Sequence, residues 1–257
     1  MLVSHESPLS MLKESLFYND YDYALVHLFE EYPQYYNFFK MCLKYNRMVY
    51  LDNSIFELGE AFDTQKFADY CNSLGCMNPD NFYYVAPDVL GDAEATMQNF
   101  ESFSKLNPAG KSIGVAQGST RDEFLKCYEF MRAKADVVAI CFNYKFYGST
   151  PLAWMMGRIA LVSWLYGQGL LDNTKIHLLG CSLPQEFISY KHMNIWSNDT
   201  SNPVVHGLKG IRYKEYGLDD KDHQKLIELL ETNPTAEQKE NILYNINKFK
   251  EINLLGA

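Results

Sequence analysis

No two cysteines of this chain stand in a CxxC spacing, and the six present, Cys42, Cys71, Cys76, Cys127, Cys141 and Cys181, are scattered singly. That removes the basis for a thiol-pair zinc site. Most of these cysteines fall in strand-like or helix-like runs, which points to reduced, buried thiols in a cytoplasm. Basic residues are in deficit, with Lys+Arg 23 against Asp+Glu 32 and a formal net charge of −9. A field of that sign repels a nucleic acid backbone unless a basic face is gathered locally, which counts against a generic DNA-coating role. The start, MLVSHESPLSMLKES, lacks the basic opening and long apolar core of a secretory leader. The most apolar segment, Leu152 to Leu171, is interrupted by Gly157, Arg158, Gln168 and Gly169, and reads as a helix packed on a sheet rather than a membrane span. Repeats, low-complexity tracts and linkers are missing as well.

What is there is a chain of 257 residues, 47% hydrophobic, enough to bury one large core. Short apolar runs alternate with amphipathic segments from end to end, the pattern of repeated βα units on a parallel sheet. Strands are expected at Ala24 to Phe29, Met48 to Asp52, Phe82 to Ala86, Ser112 to Ala116, Val137 to Phe142, Lys175 to Leu179 and Ile195 to Ser197. An eighth, the weakest, is expected at Val204 to Tyr213, which contains Gly207 and Gly210. Helix starts are marked by Pro33, by Asp63-Thr64, by Asp92 as an N-cap, by the capping box Thr120 to Glu123, by Thr150-Pro151 and by Pro184. Two more helices are expected at Asp219 to Glu231 and Thr235 to Ile252. Eight βα units in this length predict a single α/β domain over 1–257, a TIM (β/α)8 barrel with C-terminal helices.

In folds of parallel strands, ligands and catalytic groups collect past the C-terminal strand ends. The stretch MVYLDNSIFELGEAF, Met48 to Phe62, shows the pattern: an apolar run ends at Asp52, followed by the turn formers Asn53 and Ser54. Asp88, Gln117, Gly180 and Asp199 likewise stand just past expected strands. Carboxylates gathered with an amide and an open glycine suit binding a polar planar ring and attacking the carbon attached to it. Each residue also has a plain structural reading. Asp92 is a helix cap, Asp88 suits an Asx turn, and Asp52 and Asp199 suit turns or caps. The small polar residues Thr200, Ser201 and Asn202 predict a tight turn that leaves the Asp199 carboxylate exposed. Lys145, Lys191, His192, Lys209, Arg212 and Lys214 are candidates to meet phosphate, and His27 either lines a pocket or is a core histidine.

Taken in order, Asp52-Asn53-Ser54-Ile55-Phe56, Ala86-Pro87-Asp88, Gln117-Gly118, Leu179-Gly180-Cys181 and Asp199-Thr200-Ser201 resemble motifs of the tRNA-guanine transglycosylase family. The CxCxxC and histidine that hold zinc in the tRNA enzymes have no counterpart after Asp199. The chain is therefore most similar to the zinc-free bacteriophage branch that inserts 7-deazaguanines into DNA. The resemblance implies that Asp199 is the nucleophile forming a covalent sugar intermediate, and that Asp52 assists proton transfer. Phe56 would stack on the base, Asp88 and Gln117, followed by Gly118, would read its edges, and the Gly180-Cys181 turn would meet its carbonyl. Glu186 would read the 7-substituent, and as a carboxylate in the first turn of the helix after Pro184 it has an equally good structural reading. It implies no metal and no cofactor, with DNA and a 7-deazaguanine base as partners. A homodimer is a candidate assembly, no membrane is involved, and the location is the cytoplasm, a host's if the chain is phage-encoded. Two alternatives accompany this expectation: a hydrolase that releases a deazapurine from a nucleoside or nucleotide, and a non-catalytic base-binding partner of a modification complex.

Overall fold

The computed structural model describes residues 1–222 and 224–254. Eight strands, β1 (Leu2–Ser4), β2 (Asp22–Leu25), β3 (Val49–Asp52), β4 (Phe82–Val85), β5 (Lys111–Val115), β6 (Val137–Cys141), β7 (Ile176–Leu179) and β8 (Ile195–Asp199), run in the order β1-β8-β7-β6-β5-β4-β3-β2. With helices between the strands and a C-terminal helix at Ala236–Leu254, this is the α/β, TIM-barrel-like class expected from the sequence. The chain divides into two compact units, Tyr21–Ile140 and a second made of Met1–Asp20 with Cys141–Ala257.

In the Tyr21–Ile140 unit, β2 to β6 pair in parallel one after another. Val49, Tyr50 and Leu51 of β3 and all four residues of β4 are buried, as strands covered on both faces require. The rings of Tyr21, Tyr50 and Tyr83 stand 4.4 and 4.9 Å apart in succession, so aromatic packing ties neighbouring strands together. Helices Thr64–Gly75, Ala93–Ser104 and Arg121–Lys134 begin where the sequence marks them. Asp63, Asp92 and Thr120 each accept a backbone N–H of the first turn, and Glu123 completes the capping box. The first strand is displaced from its expected position: it occupies Asp22–Leu25, whereas Leu28 and Phe29 lie in a short helix, Leu28–Glu31. The bidentate pair of Arg47 with Asp22, at 2.6 and 3.1 Å, gives the polar Asp22 a place at the strand start.

In the other unit, β1, β8 and β7 are adjacent and parallel, with Ser4 in register with Asp199 and His177 with Ser197. The strand count is eight as expected, but one member differs. Leu2–Ser4 is a strand, and the segment expected to form the eighth is not: Asn202–Leu208 is a helix. Pro203 fits the first helical turn, and Val204, Val205 and Leu208 recur at helical spacing to pack on Ile242 and Ile246 of the C-terminal helix. That last helix is preceded by Thr235, whose side chain and that of Gln238 exchange backbone hydrogen bonds as a capping box. Of the helix expected at Asp219 to Glu231, the described residues show only a 3-10 turn, Leu226–Leu229. Among the described residues, no helix is long and apolar enough to cross a membrane. All six cysteines are free; four are buried as expected, but Cys76 is exposed and Cys141 half-buried.

Arg158, the single charge in the apolar helix Pro151–Gly167, is completely buried. Its Nε and Nη2 donate to the two oxygens of Glu186 at 2.5 and 3.0 Å, and Nη1 and Nη2 donate to the carbonyls of Leu179 and Gly180 at 2.8 and 3.0 Å. The residue that breaks the hydropathy of the segment is therefore its most heavily bonded one. Removing one partner of such a pair strands a buried charge, so Arg158→Ala should cost about 3–5 kcal/mol in urea unfolding. A loss under about 1 kcal/mol would mean that Glu186 finds solvent or another donor.

Candidate functional site

The expected site residues Asp52, Phe56, Asp88, Gln117 and Gly118 all belong to the Tyr21–Ile140 unit. Asp52 ends β3. Its Oδ2 accepts the Tyr23 hydroxyl at 2.6 Å and its Oδ1 the Ser54 N–H at 2.5 Å, the latter allowed by Ser54 in the left-handed region at φ 64°. Asp88, past β4, is buried between two amides: Asn53 Nδ2 donates to Oδ1 at 2.7 Å and Gln117 Nε2 to Oδ2 at 2.7 Å.

The direction of that chain is fixed from both ends. Ile55 N–H donates to Asn53 Oδ1 at 3.0 Å, and Gly91 N–H donates to Gln117 Oε1 at 3.1 Å. Neither amide can flip without setting donor against donor, so Asp88 must accept on both oxygens. Burial pushes the Asp88 carboxyl up, and the donors from Asn53 and Gln117 pull it the other way. Gly118 has a packing reason for its identity: a Cβ there would lie 2.4 Å from Phe124 N, under the first turn of the Arg121–Lys134 helix. Phe56 sits on a short helix, Ile55–Leu58, and is 41% exposed, so its ring is not core. His27 N-caps the Leu28–Glu31 helix, half-buried, and burial lowers its pKa.

Gly180, Cys181 and Asp199 belong to the other unit. Asp199 ends β8 and is 6% exposed, which corrects the expectation of an exposed carboxylate. The turn after it folds inward into the Asn202–Leu208 helix, with Asn202 N–H on Thr200 Oγ1 at 3.0 Å, and the carboxylate is held by specific neighbours in place of water. Gly180 N–H donates to Asp199 Oδ1 at 3.1 Å, and His177 Nε2 stands 3.1 Å from the same oxygen. Gly180 adopts φ 64°, and a Cβ there would press to 2.7 Å from the Phe142 ring, so only glycine fits. The carbonyls of this turn are all claimed. Arg158 takes Leu179 and Gly180, Asn198 Nδ2 shares Gly180 at 2.9 Å, and Lys221 Nζ donates to Cys181 at 2.9 Å.

Lys221, absent from the basic residues singled out by sequence, lies 3.8 Å above the Phe142 ring centre. Burial lowers its pKa from 10.5 to about 8; the charge of Arg158 adds to the lowering, while Cys181, Glu186 and Asp199 oppose it. Of the expected phosphate contacts, Lys209 is paired with Asp222, Arg212 with Glu240 and Lys214 with Asp219, whereas Lys145, Lys191 and His192 are exposed. Glu186 is committed to Arg158 and also accepts the Tyr190 hydroxyl. His206 is buried in the Asn202–Leu208 helix with Nδ1 on the Asn202 carbonyl at 2.9 Å, and His223 lies outside the described residues. Among the described residues no three His, Cys, Asp or Glu side chains gather as a metal set.

Sequence reasoning missed His177, Ser197, Arg158 and Lys221. The signal for the first was a lone histidine inside the apolar strand Ile176–Leu179, since a buried imidazole needs polar partners. The fold and these strand-end residues define a protein of the α/β-barrel class with carboxylates at the ends of β3 and β8. No protein-family model and no curated protein matches the chain.

Because both amides are locked, Asp88→Asn should place a donor against a donor and destabilise the protein by about 1–3 kcal/mol in urea unfolding. Unchanged stability would show that Asn53 or Gln117 can turn over.

Proposed function

We propose that this protein exchanges guanine in DNA for a 7-deazaguanine base through a covalent bond between Asp199 and deoxyribose. The observation that carries the reading is the Asp199 carboxylate, buried at the end of β8 with one oxygen fixed by the Gly180 N–H. A fixed anion of this kind suits stabilising and trapping the oxocarbenium-like sugar carbon that forms as a base departs. In the proposed reaction an Asp199 oxygen bonds to C1′ as the C1′–N9 bond breaks, and the purine takes that electron pair and a proton. The incoming base loses its proton, attacks C1′ and releases the aspartate. Asp52, held by Tyr23 and Ser54, serves as the proton carrier in both directions.

Asp88 and Gln117, hydrogen-bonded to each other just past neighbouring strands, supply the base-reading groups, with further lone pairs on the Asp88 carboxylate. Phe56, part-exposed on its short helix, offers a ring face to a base taken out of the stack. The net charge of −9 favours the second reading, hydrolysis of a deazapurine nucleoside or nucleotide, because a small substrate does not meet the field that a polymer does.

Asp199→Asn keeps the shape and removes the anion. Base exchange and the trapped DNA adduct should both be lost, by several orders of magnitude in rate, while DNA binding stays intact. An adduct that forms in Asp199→Asn would move the nucleophile to Asp52; a wild type that frees base with no adduct would favour the hydrolase. Phe56→Ala should weaken base binding by about ten- to a hundredfold, the worth of one stacked base, with little change in stability because the ring is part-exposed. Unchanged affinity would remove Phe56 from the site.

A further inference from the structure

Two nitrogens stand 3.1 Å from one oxygen of Asp199: the Gly180 N, whose hydrogen is donated to Oδ1, and His177 Nε2. On the far side of the imidazole, Nδ1 lies 2.9 Å from Ser197 Oγ. His177 and Ser197 are completely buried on β7 and β8, in register with each other, and Asp199 follows Ser197 by two residues on the same strand. Residues two apart on a strand point to one face, so Ser197, His177 and Asp199 line the same side of the sheet.

We propose that His177 is the positioning residue of Asp199: together with the Gly180 N–H it holds Oδ1 as the non-reacting oxygen and directs Oδ2 to the electrophilic carbon. The identity of that carbon as the sugar C1′ rests on the transglycosylase reading; the roles of the two oxygens rest on the contacts alone. For Nε2 to donate it must carry the hydrogen, and Nδ1 then accepts from the Ser197 hydroxyl. In that tautomer the Ser197 hydroxyl donates to Nδ1, and the Nε2 hydrogen lies beside the carboxylate. The approach of Nε2 to Oδ1 is bent off the hydrogen-bond axis, and catalytic hydrogen bonds of this kind commonly tighten in the complex with substrate.

The division of oxygens has a chemical consequence. An Oδ2 lone pair forms the bond to C1′ while the C1′–N9 pair leaves with the purine, and Oδ1 becomes the carbonyl oxygen of a glycosyl ester. When the incoming base displaces that ester, negative charge returns to the carboxylate. The Gly180 N–H on Oδ1, joined by the Nε2–H as its approach straightens, stabilises the departing carboxylate. His177 thus acts on the chemical steps and not on DNA binding.

Nitrogen-15 NMR of the full chain labelled in histidine, with the His177 signals assigned by their loss in His177→Gln, reads the hydrogen on Nε2 directly. A hydrogen on Nε2 is expected, and a bare Nε2 would overturn the proposal, because two lone pairs would then face each other. In single-turnover exchange of a 7-deazaguanine into DNA, His177→Phe should lower the rate of the chemical step about ten- to a hundredfold with DNA affinity unchanged. His177→Gln, whose amide N–H can replace Nε2–H, should recover most of it. A wild-type rate in His177→Phe, or an effect confined to affinity, would also overturn the proposal. A wild-type protein that exchanges no base would defeat the transglycosylase reading while leaving the NMR measurement to decide the role of His177.

Discussion

A guanidinium with no contact with water is the constraint around which one half of this molecule is built. Arg158 is buried in the apolar helix Pro151–Gly167, and a charge there is tolerable only if each face of the group is met. Glu186 meets one edge with both oxygens, and the carbonyls of Leu179 and Gly180 meet the other. The turn at the end of β7 is thereby fixed through its carbonyls, with Asn198 and Lys221 claiming what Arg158 leaves. Fixing the carbonyls fixes the amides too, and the Gly180 N–H is thereby held on Asp199. The carboxylate is oriented by a backbone group that cannot move without unpairing a buried charge, which is how a fold preorganises an anion.

The Tyr21–Ile140 unit reaches a similar end without a buried cation. Two backbone N–H groups, from Ile55 and Gly91, set the orientation of Asn53 and Gln117, and the two amides set Asp88. Its carboxyl is pushed up by burial and pulled down by its two donors. Asp52, by contrast, is held by a phenol and by the N–H of a residue in the left-handed region, a local strain of the sort that collects at functional turns.

Much of this was legible in the sequence, for reasons that can be named. Val49 to Asp52 reads as a strand because aromatic and β-branched residues end abruptly at a carboxylate and turn formers, and the caps at Asp63, Asp92, Thr120 and Thr150 carry their own chemistry. Leu2–Ser4 was invisible because three residues show no period, and its strandhood depends on pairing with β8. The run from Val204 was misread as a strand because a short apolar stretch does not reveal its period; Pro203 and the spacing to Leu208 were the signs of a helix. The burial of Asp199 was not legible either, since small polar residues after a strand look like a surface turn until the donors from another strand are seen. His177 and Arg158 were missed as partners for the same reason: periodicity tells which face a residue occupies, not which charge lies opposite.

The central claim is base exchange at a fixed carboxylate, and mass spectrometry of nucleosides from DNA incubated with the protein and candidate 7-deazaguanine bases tests it most directly. The account predicts a 7-deaza-2′-deoxyguanosine nucleoside in the digested DNA and an equal amount of guanine released. DNA that keeps all its guanine with every candidate base, together with release of free base from a deazapurine nucleoside, would contradict it and leave hydrolysis as the chemistry of Asp199.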